Sequence, residues 1–181
     1  MALRKILVWP DKRLEEKARP VVRVDDRIRK LLDDMAETMY AGEGVGLAAT
    51  QIGEPARVAV IDVSGADEKV PLIRAINPEI VESEGRVTHE EGCLSLPEVR
   101  EEIARFEKIK VRYKDPEGNT VETAAHGLLA RVFQHEIDHL DGKLLFDRLS
   151  ALKRGLIKRK LKKAKLNTRE DREDHELRAA E

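Results

Sequence analysis

The chain has 181 residues, of which 41% are hydrophobic and 38% charged, and its formal net charge is −1. This size supports one core without a disulfide scaffold, and the charge balance argues against a nucleic-acid field over the whole surface. The single cysteine, Cys93, excludes an intramolecular disulfide and favours a reducing compartment. No apolar run reaches the length of a membrane span and Ile6–Trp9 is too brief for a signal-peptide core, so we expect a cytoplasmic protein without a membrane partner.

The first predicted element is an amphipathic helix. Apolar residues recur at three- and four-residue steps over 25–41, with Asp25 or Asp26 as the cap and Gly42 as the end. The stretch 42–53 that follows is rich in glycine and shows no regular period.

Strands are predicted in the middle of the chain, where valine and isoleucine concentrate or where apolar and charged residues alternate. The stretches 57–63 and 72–81 are of the first kind, the second broken near Asn77-Pro78. The alternating stretch 103–113 predicts a single half-buried antiparallel strand. Turn-forming residues at 115–119 predict a hairpin.

After the hairpin the chain returns and then becomes helical. A strand over 120–124 is followed by a helical apolar stripe over 126–140, a short strand at 144–146 and a last helix over 150–166. This order predicts an α+β fold in which antiparallel or mixed sheets pack around the central helix, with a further helix at the C-terminal end.

The central helix carries an H-E-x-x-H motif that runs from His135 to His139. Residues four apart lie on one helical face, so the two imidazoles can bind one metal ion, with Glu136 beside them as general base. Two surface histidines on a charged helix are the alternative. The apolar stripe favours metal binding, because it would bury the motif.

A catalytic metal site of this kind needs a third protein ligand and one open position. The downstream histidine of the long motif is missing, since Leu145 stands in its place. Cys93 is a better candidate, because a thiolate with two imidazoles binds Zn²⁺ or Fe²⁺ and leaves a position for water. The alternatives are a cysteine that fills core space and a nucleophile activated by histidine, which would leave the histidine spacing unexplained.

The stretch GVGLAATQ at 44–51 contains a Gly-x-Gly pair. It follows a helix rather than a strand and lacks the other residues of a P-loop or dinucleotide site, so we expect no nucleotide cofactor. Small residues here let the backbone approach a ligand, and Gln51 offers an amide donor for an oxyanion. A tight turn without chemistry is the alternative.

Three segments together resemble, in order and spacing, the signature motifs of bacterial peptide deformylases. They are GVGLAATQ at 44–51, EGCLS at 91–95 and QHEIDHLDG at 134–142. The resemblance extends from about Ile6 to Ser150. It implies a metal hydrolase that removes the formyl group from the N-terminal methionine of new polypeptides and releases formate.

The resemblance also implies roles for individual residues. Cys93, His135 and His139 resemble the metal ligands of the family, which usually works with Fe²⁺ and tolerates Ni²⁺, Co²⁺ or Zn²⁺. Glu136 resembles its general acid and base. Two residues resemble the oxyanion donors of the family: Gln51, through its side-chain amide, and Leu94, through its backbone N–H.

The same resemblance implies an apolar pocket for the methionine side chain, with the peptide lying along the glycine-rich loop. The matching positions are Val45, Gly46, Leu128 and Val132. His89 and Arg131 stand where many relatives have apolar residues, which leaves the peptide preference open. Two further roles stay open. For Arg100 the alternatives are contact with the peptide, an ion pair with Glu91, or a surface cation without a specific role. For Asp138 they are orientation of a metal ligand or solvation.

Eight basic residues and no acidic ones lie between Lys153 and Lys165. The simplest interpretation is a solvated helix face, and the alternative is a helix that docks on ribosomal RNA, where a deformylase meets its substrate. We therefore predict a catalytic domain over 1–150 and a basic C-terminal helix with a charged tail over 151–181.

Two other functions compete with deformylation. One is a zinc endopeptidase that uses the H-E-x-x-H core and has no need of Cys93. The other is a non-enzymatic ribosome-binding module, in which a bound metal only stabilises the fold. All three motifs are intact in this chain, which argues against a degenerate, non-catalytic site.

Overall fold

A computed structural model describes residues 2–65 and 70–164 of the chain. The chain divides into two compact units, Met1–Leu145 and Phe146–Glu181. The predictions made for Lys165 and for the charged tail lie outside the described residues. Across the described ranges, no helix combines the length and the apolar character needed to cross a membrane.

The first unit combines two α-helices with seven strands in its described part, which confirms the predicted α+β class. In chain order the elements are α1 (Asp26–Ala41), β1 (Gly46–Ala48), β2 (Val58–Ile61), β3 (Ile73–Glu84), β4 (Val87–Cys93), β5 (Leu96–Arg105), β6 (Lys108–Lys114), β7 (Thr120–His126) and α2 (Gly127–Leu140). Short 3₁₀ segments occur at Lys12–Glu15, Ala49–Ile52 and Leu145–Arg148.

The strands form two antiparallel sheets. One has five strands in the order β1-β2-β3-β6-β7, and the other is the hairpin β4-β5. Successive side chains of a strand point to opposite faces of its sheet. Along β2, Val58 and Val60 accordingly join the apolar cluster of α1, whereas Ile61 joins the cluster of α2. The two helices therefore cover opposite faces of the larger sheet.

The ends of the helices follow from local sequence. The carboxylate of Asp25 accepts a hydrogen bond from the Ile28 N–H at 3.0 Å, and the helix it caps ends where the Gly42 N–H bonds to the Thr38 carbonyl. Helix α2 follows β7 without a loop. The chain makes this turn at Gly127, whose φ of 54° lies in the region that favours glycine.

Two predicted strands are wrong in detail. The stretch 103–113 is not one strand, because β5 ends at Arg105 and β6 begins at Lys108. Its alternation of apolar and charged residues continues through the turn, so the pattern contains no sign of the break. The predicted strand at 144–146 does not form: residues 145 and 146 belong to the 3₁₀ segment and Leu144 to no regular element, since three apolar residues are too few to define a period.

The second unit is described up to residue 164. Residues 151–164 form helix α3, which confirms the predicted C-terminal helix over that range. The Ser150 hydroxyl accepts a hydrogen bond from the Lys153 N–H at 3.4 Å. Within the same unit, Arg154 pairs with Asp147 at 3.6 Å and the Lys158 ammonium lies 4.6 Å from the centre of the Phe146 ring.

Candidate metal centre

Three predicted ligands come together from two elements of the first unit. Helix α2 carries His135 and His139 one turn apart, and Cys93 ends β4. The His139 Nε2 atom lies 3.2 Å from the Cys93 Sγ and 3.2 Å from the His135 Nε2, and all three ligand atoms lie within 4.8 Å of one another. Tetrahedral zinc bonds place such donors about 3.3–3.6 Å apart, so this set fits one ion.

The His135 ring is held by a carboxylate on its far side. The Glu91 Oε2 lies 3.0 Å from the His135 Nδ1. Because an ionised carboxylate only accepts, Nδ1 carries a hydrogen, and Nε2 faces the Nε2 of His139 at 3.2 Å. Burial alone would raise the pKa of Glu91, but hydrogen bonds from His135 and Arg105 lower it to about 2. Glu91 therefore stays ionised.

Behind Glu91 lies a buried guanidinium. Arg105 donates from Nε and Nη2 to the two Glu91 oxygens, both at 2.9 Å, and its Nη1 bonds to Asp138 Oδ2. The Arg105 side chain is only 2% exposed. Asp138 lies on α2 between the two histidines in sequence, so the hydrogen bonds of Arg105 connect the hairpin β4-β5 to the helix. The two carboxylates and the guanidinium are paired throughout.

His139 is supported differently. Its Nδ1 atom is buried and has no hydrogen-bond partner within the described part of the chain. Burial lowers the pKa of His139 well below its ordinary value. The ring is therefore neutral, which is the form that binds a metal ion.

The Glu136 carboxylate lies beside the ligands without being one of them. It is 4% exposed, and its Oε2 has no hydrogen-bond partner among the residues of the two described ranges. Burial raises the pKa of Glu136 to about 7. A carboxyl group with such a pKa can accept and return a proton near neutral pH.

The glycine at position 46 leaves space for this carboxylate. A β-carbon there would overlap the Glu136 Oε1 and would lie 2.7 Å from the Val132 Cγ1. Strand β1 thus passes α2 at Val132 and Glu136, at a distance that only glycine allows. Gly46 was predicted as a residue that contacts the peptide, and its close approach to Glu136 is a separate reason for a glycine there.

Gln51 lies in the 3₁₀ segment that follows β1 and is 2% exposed. Its Oε1 accepts a hydrogen bond from the Ala48 N–H at 2.9 Å. Its Nε2 lies 3.2 Å from the Ser95 Oγ and 3.8 Å from the Cys93 Sγ. The amide is therefore oriented with its nitrogen towards the metal ligands.

These groups line one cavity of about 570 Å³. Its walls include nearly all the predicted site residues and also Arg100 and Arg131. The predicted site residues on the walls are Val45, Gly46, Gln51, Cys93, Leu94, Leu128, Val132, His135 and Glu136. The third ligand, His139, is 1% exposed and lies behind them.

The residues whose roles were left open now have defined positions. Arg100 pairs with Glu90 at 3.8 Å and not with Glu91, whose carboxylate is taken by Arg105. His89 is an exposed residue of β4. Asp138 is buried, so the solvated alternative for it is wrong.

Sequence reasoning missed three polar residues of the site, Glu91, Arg105 and Ser95. Two of them left a weak signal. Glu91 and Cys93 are two apart in a strand and hence on one face, and Arg105 continues the buried phase of Ile103. Ser95 lies in the signature segment EGCLS, but nothing in that segment indicates its contact with Gln51, which spans 44 residues of sequence.

Comparisons with known proteins agree with this centre. A family model described as polypeptide deformylase matches residues 3–155. Over 163 residues the chain is 55% identical to a peptide deformylase of Alkalilimnicola ehrlichii, covering 90% of this chain and 91% of that protein. It is 52% identical over 164 residues to peptide deformylase 1 of Burkholderia multivorans, covering 90% of each.

Solved structures give the same result. A peptide deformylase from Legionella pneumophila superposes with a TM-score of 0.84 and 47% identity, covering 92% of this chain and 98% of that one. A peptide deformylase from Ehrlichia chaffeensis, solved in complex with actinonin, superposes with a TM-score of 0.84 and 43% identity, covering 91% of this chain and 98% of that one.

Proposed function

Because this chain belongs to the polypeptide deformylase family, it removes the formyl group from nascent polypeptides, and we propose that Cys93, His135 and His139 hold the metal ion for this hydrolysis. One observation carries the assignment of residues. The three ligand atoms lie within 4.8 Å of one another, next to a buried carboxylate on the wall of the cavity. The similarity gives no support to the endopeptidase alternative.

The donor set favours a divalent ion that accepts both sulfur and nitrogen. Held by Cys93, His135 and His139, such an ion would supply a bound water of lowered pKa and a positive charge to polarise the formyl group. We propose Fe²⁺ in the cell, with Ni²⁺, Co²⁺ or Zn²⁺ as substitutes. An iron form should lose activity faster in air than under nitrogen, because both the iron and the Cys93 thiolate oxidise. Equal half-lives would contradict the choice of iron.

We assign the proton transfers to Glu136. Its carboxylate accepts a proton from the attacking water and returns it to the amine that leaves. The pKa of about 7 suits both steps, since the group is readily protonated and deprotonated at neutral pH. The Oε2 atom, which has no hydrogen-bond partner among the described residues, leaves an acceptor available for the first transfer.

We assign the stabilisation of the negative formyl oxygen to two donors, the Gln51 amide and the Leu94 backbone N–H. Both residues line the cavity beside Cys93. Donors fixed before the reaction stabilise charge that develops in the transition state, and losing one typically lowers the rate about 10²–10³-fold.

We propose that the methionine side chain binds against Val45, Leu128 and Val132, with the peptide along Gly46. Leu128 and Val132 are one turn apart on α2 and face the cavity together. Arg131 also lines the cavity. The aliphatic stem of an arginine can cover apolar surface while its charged end stays hydrated.

We keep two further proposals, a catalytic domain over 1–150 and a separate C-terminal element over 151–181 that docks the enzyme on the ribosome. The described part of α3 carries seven of the eight basic residues. Their positive charge favours binding to ribosomal RNA, and the deformylation of nascent chains favours a cytoplasmic location.

Truncation after Ser150 should weaken ribosome binding at low salt. Unchanged affinity would contradict the docking proposal.

The experiment for the main proposal is an assay of formate release from a formyl-Met peptide, with protein purified without oxygen. Wild type is compared with Glu136→Gln, which is close in shape, and with Glu82→Gln, a surface glutamate paired with Lys110. Metal content is measured for all three.

We expect rapid release by wild type and by Glu82→Gln. For Glu136→Gln we expect a loss of at least about 10²-fold, the lower end for a general acid–base group, with one metal ion per chain retained. No formate from fully metal-loaded wild type would contradict the proposal.

A further inference from the structure

The orientation of the Gln51 amide has a cause that lies outside the residues assigned so far. An amide nitrogen carries two hydrogens and the amide oxygen accepts. Because the Ala48 N–H occupies Oε1, the nitrogen must face Ser95 and Cys93. Ser95 is the nearest acceptor, at 3.2 Å. The amide thus donates one hydrogen to the Ser95 hydroxyl, and its other hydrogen points towards the Cys93 Sγ, 3.8 Å away, on the side of the metal ligands.

Ser95 is well suited to hold this amide in place. It is fully buried, at 0% exposed, in the two-residue link between β4 and β5. Its backbone carbonyl accepts a hydrogen bond from the Trp9 N–H at 3.0 Å, and the carbonyl of Gln51 accepts one from the Leu7 N–H at 2.7 Å. The segment 7–9 therefore holds the backbones of both residues, which keeps the hydroxyl within reach of the amide.

We propose that Ser95 is a positioning residue for deformylation. Its hydroxyl oxygen accepts one amide hydrogen of Gln51 and so directs the second towards the formyl oxygen of the substrate. The proposal rests on the proposed role of Gln51 as an oxyanion donor. Without this acceptor the amide would sample other rotamers, and the donor would no longer be fixed before the reaction.

A merely structural role for Ser95 predicts something different. If the hydroxyl only satisfies buried polar groups, its removal should harm the protein whether or not residue 51 has an amide. If Ser95 acts through Gln51, its removal should cost nothing once the amide is gone. A double-mutant cycle separates these two cases.

The experiment measures kcat and KM for a formyl-Met peptide in metal-loaded wild type, Ser95→Ala, Gln51→Ala and the double variant, with the metal content of each. We expect Ser95→Ala to lower kcat about 10-fold and Gln51→Ala about 10²-fold, with KM little changed, because the donor acts in the transition state. The double variant should be no slower than Gln51→Ala alone, and all four should hold one metal ion.

Three outcomes would overturn the proposal, and they are distinguishable. Ser95→Ala at the wild-type rate, with Gln51→Ala slow, removes the role of Ser95 alone. An equal loss in both backgrounds makes Ser95 structural. Gln51→Ala at the wild-type rate removes the oxyanion role of Gln51 and this proposal with it. Should Ser95→Ala fail to fold, Ser95→Cys, which keeps the shape with a weaker acceptor, replaces it in the cycle.

Discussion

Glu91 and Asp34 are two buried carboxylates that resemble each other in their electrostatics. Burial would raise the pKa of each, yet both have a pKa of about 2. For Glu91 the opposing hydrogen bonds come from His135 and Arg105. For Asp34 they come from the Ala2 N–H and from two basic side chains of the surface.

The two carboxylates differ in the exposure of their partners. The Arg105 side chain beside Glu91 is 2% exposed, whereas the Arg4 and Lys30 side chains beside Asp34 are 41% and 63% exposed. Water can solvate a cation that loses Asp34, but it cannot reach a guanidinium that loses Glu91. The second loss leaves a buried charge incompletely paired, which is far more costly.

They also differ in what they hold. Glu91 orients His135, one of the three candidate ligands. Asp34 binds the start of the chain to helix α1, through Ala2 and Arg4. A lowered pKa in a buried carboxylate therefore does not mark a functional site by itself. The group at the other end of its hydrogen bonds decides whether the cluster serves the reaction or the fold.

The largest effect is expected for Glu91→Ala. The substitution removes the partner of His135 and leaves Arg105 with Asp138 alone. Metal affinity should fall about 10–100-fold and the free energy of unfolding by about 3–5 kcal/mol. Competitive metal titration and urea unfolding measure these two quantities. A folded variant with wild-type metal affinity would show that Glu91 does not orient the ligand.

Asp34→Asn is the matched change in the other cluster. It should lower the free energy of unfolding by about 1–3 kcal/mol, because the amide accepts less strongly from Arg4 and Lys30. Metal content and formate release should stay at wild-type values, since no site residue contacts Asp34 in the described structure. A variant as stable as wild type, or a folded variant that loses activity, would contradict the conclusion that the Asp34 cluster serves the fold and not the reaction.

The contribution of Asp34 should also depend on pH. Its pKa is about 2 in the folded protein against an ordinary 3.8, so the folded state favours the ionised form. The stabilisation is complete above about pH 4 and is lost as the pH falls towards 2. The difference in urea midpoint between wild type and Asp34→Asn should therefore shrink between pH 7 and pH 3. A constant difference would contradict the lowered pKa.

The smallest effect is expected for Arg4→Ala. Its guanidinium bonds to the same carboxylate at 3.1 Å, but it is partly exposed and Lys30 remains. The loss should be about 0–1 kcal/mol, as for other surface ion pairs. The buried counterpart, Arg105→Ala, should cost about 3–5 kcal/mol. Comparable losses in the two variants would mean that exposure of the cation does not set the cost.

The helices were predictable because their signals are local. The spacing of apolar residues defines α1 and α2, and the four-residue spacing of His135 and His139 places both on one face. Strands β1 and β4 were not predicted. Strand β1 has only three residues and lies in a glycine-rich stretch, and most side chains of β4 are exposed, so neither shows a hydrophobic period.

The tertiary part of the site was not predictable from local patterns. Arg105 forms hydrogen bonds with Glu91, 14 residues away in sequence, and with Asp138, 33 residues away. The contact of Ser95 with Gln51 joins residues 44 apart in sequence. Such pairs depend on how the hairpin β4-β5 packs on α2. Sequence motifs indicated which residues belong to the centre, but the hydrogen bonds that orient them required the fold.

We propose above that strand β4 and helix α2 bind one metal ion together. The most direct test is anomalous diffraction at the absorption edge of the metal, with crystals of the metal-loaded protein. We predict a single peak within bonding distance of Cys93 Sγ, His135 Nε2 and His139 Nε2, and its loss or displacement in Cys93→Ser. A full peak elsewhere, or one that Cys93→Ser leaves unchanged, would contradict the account.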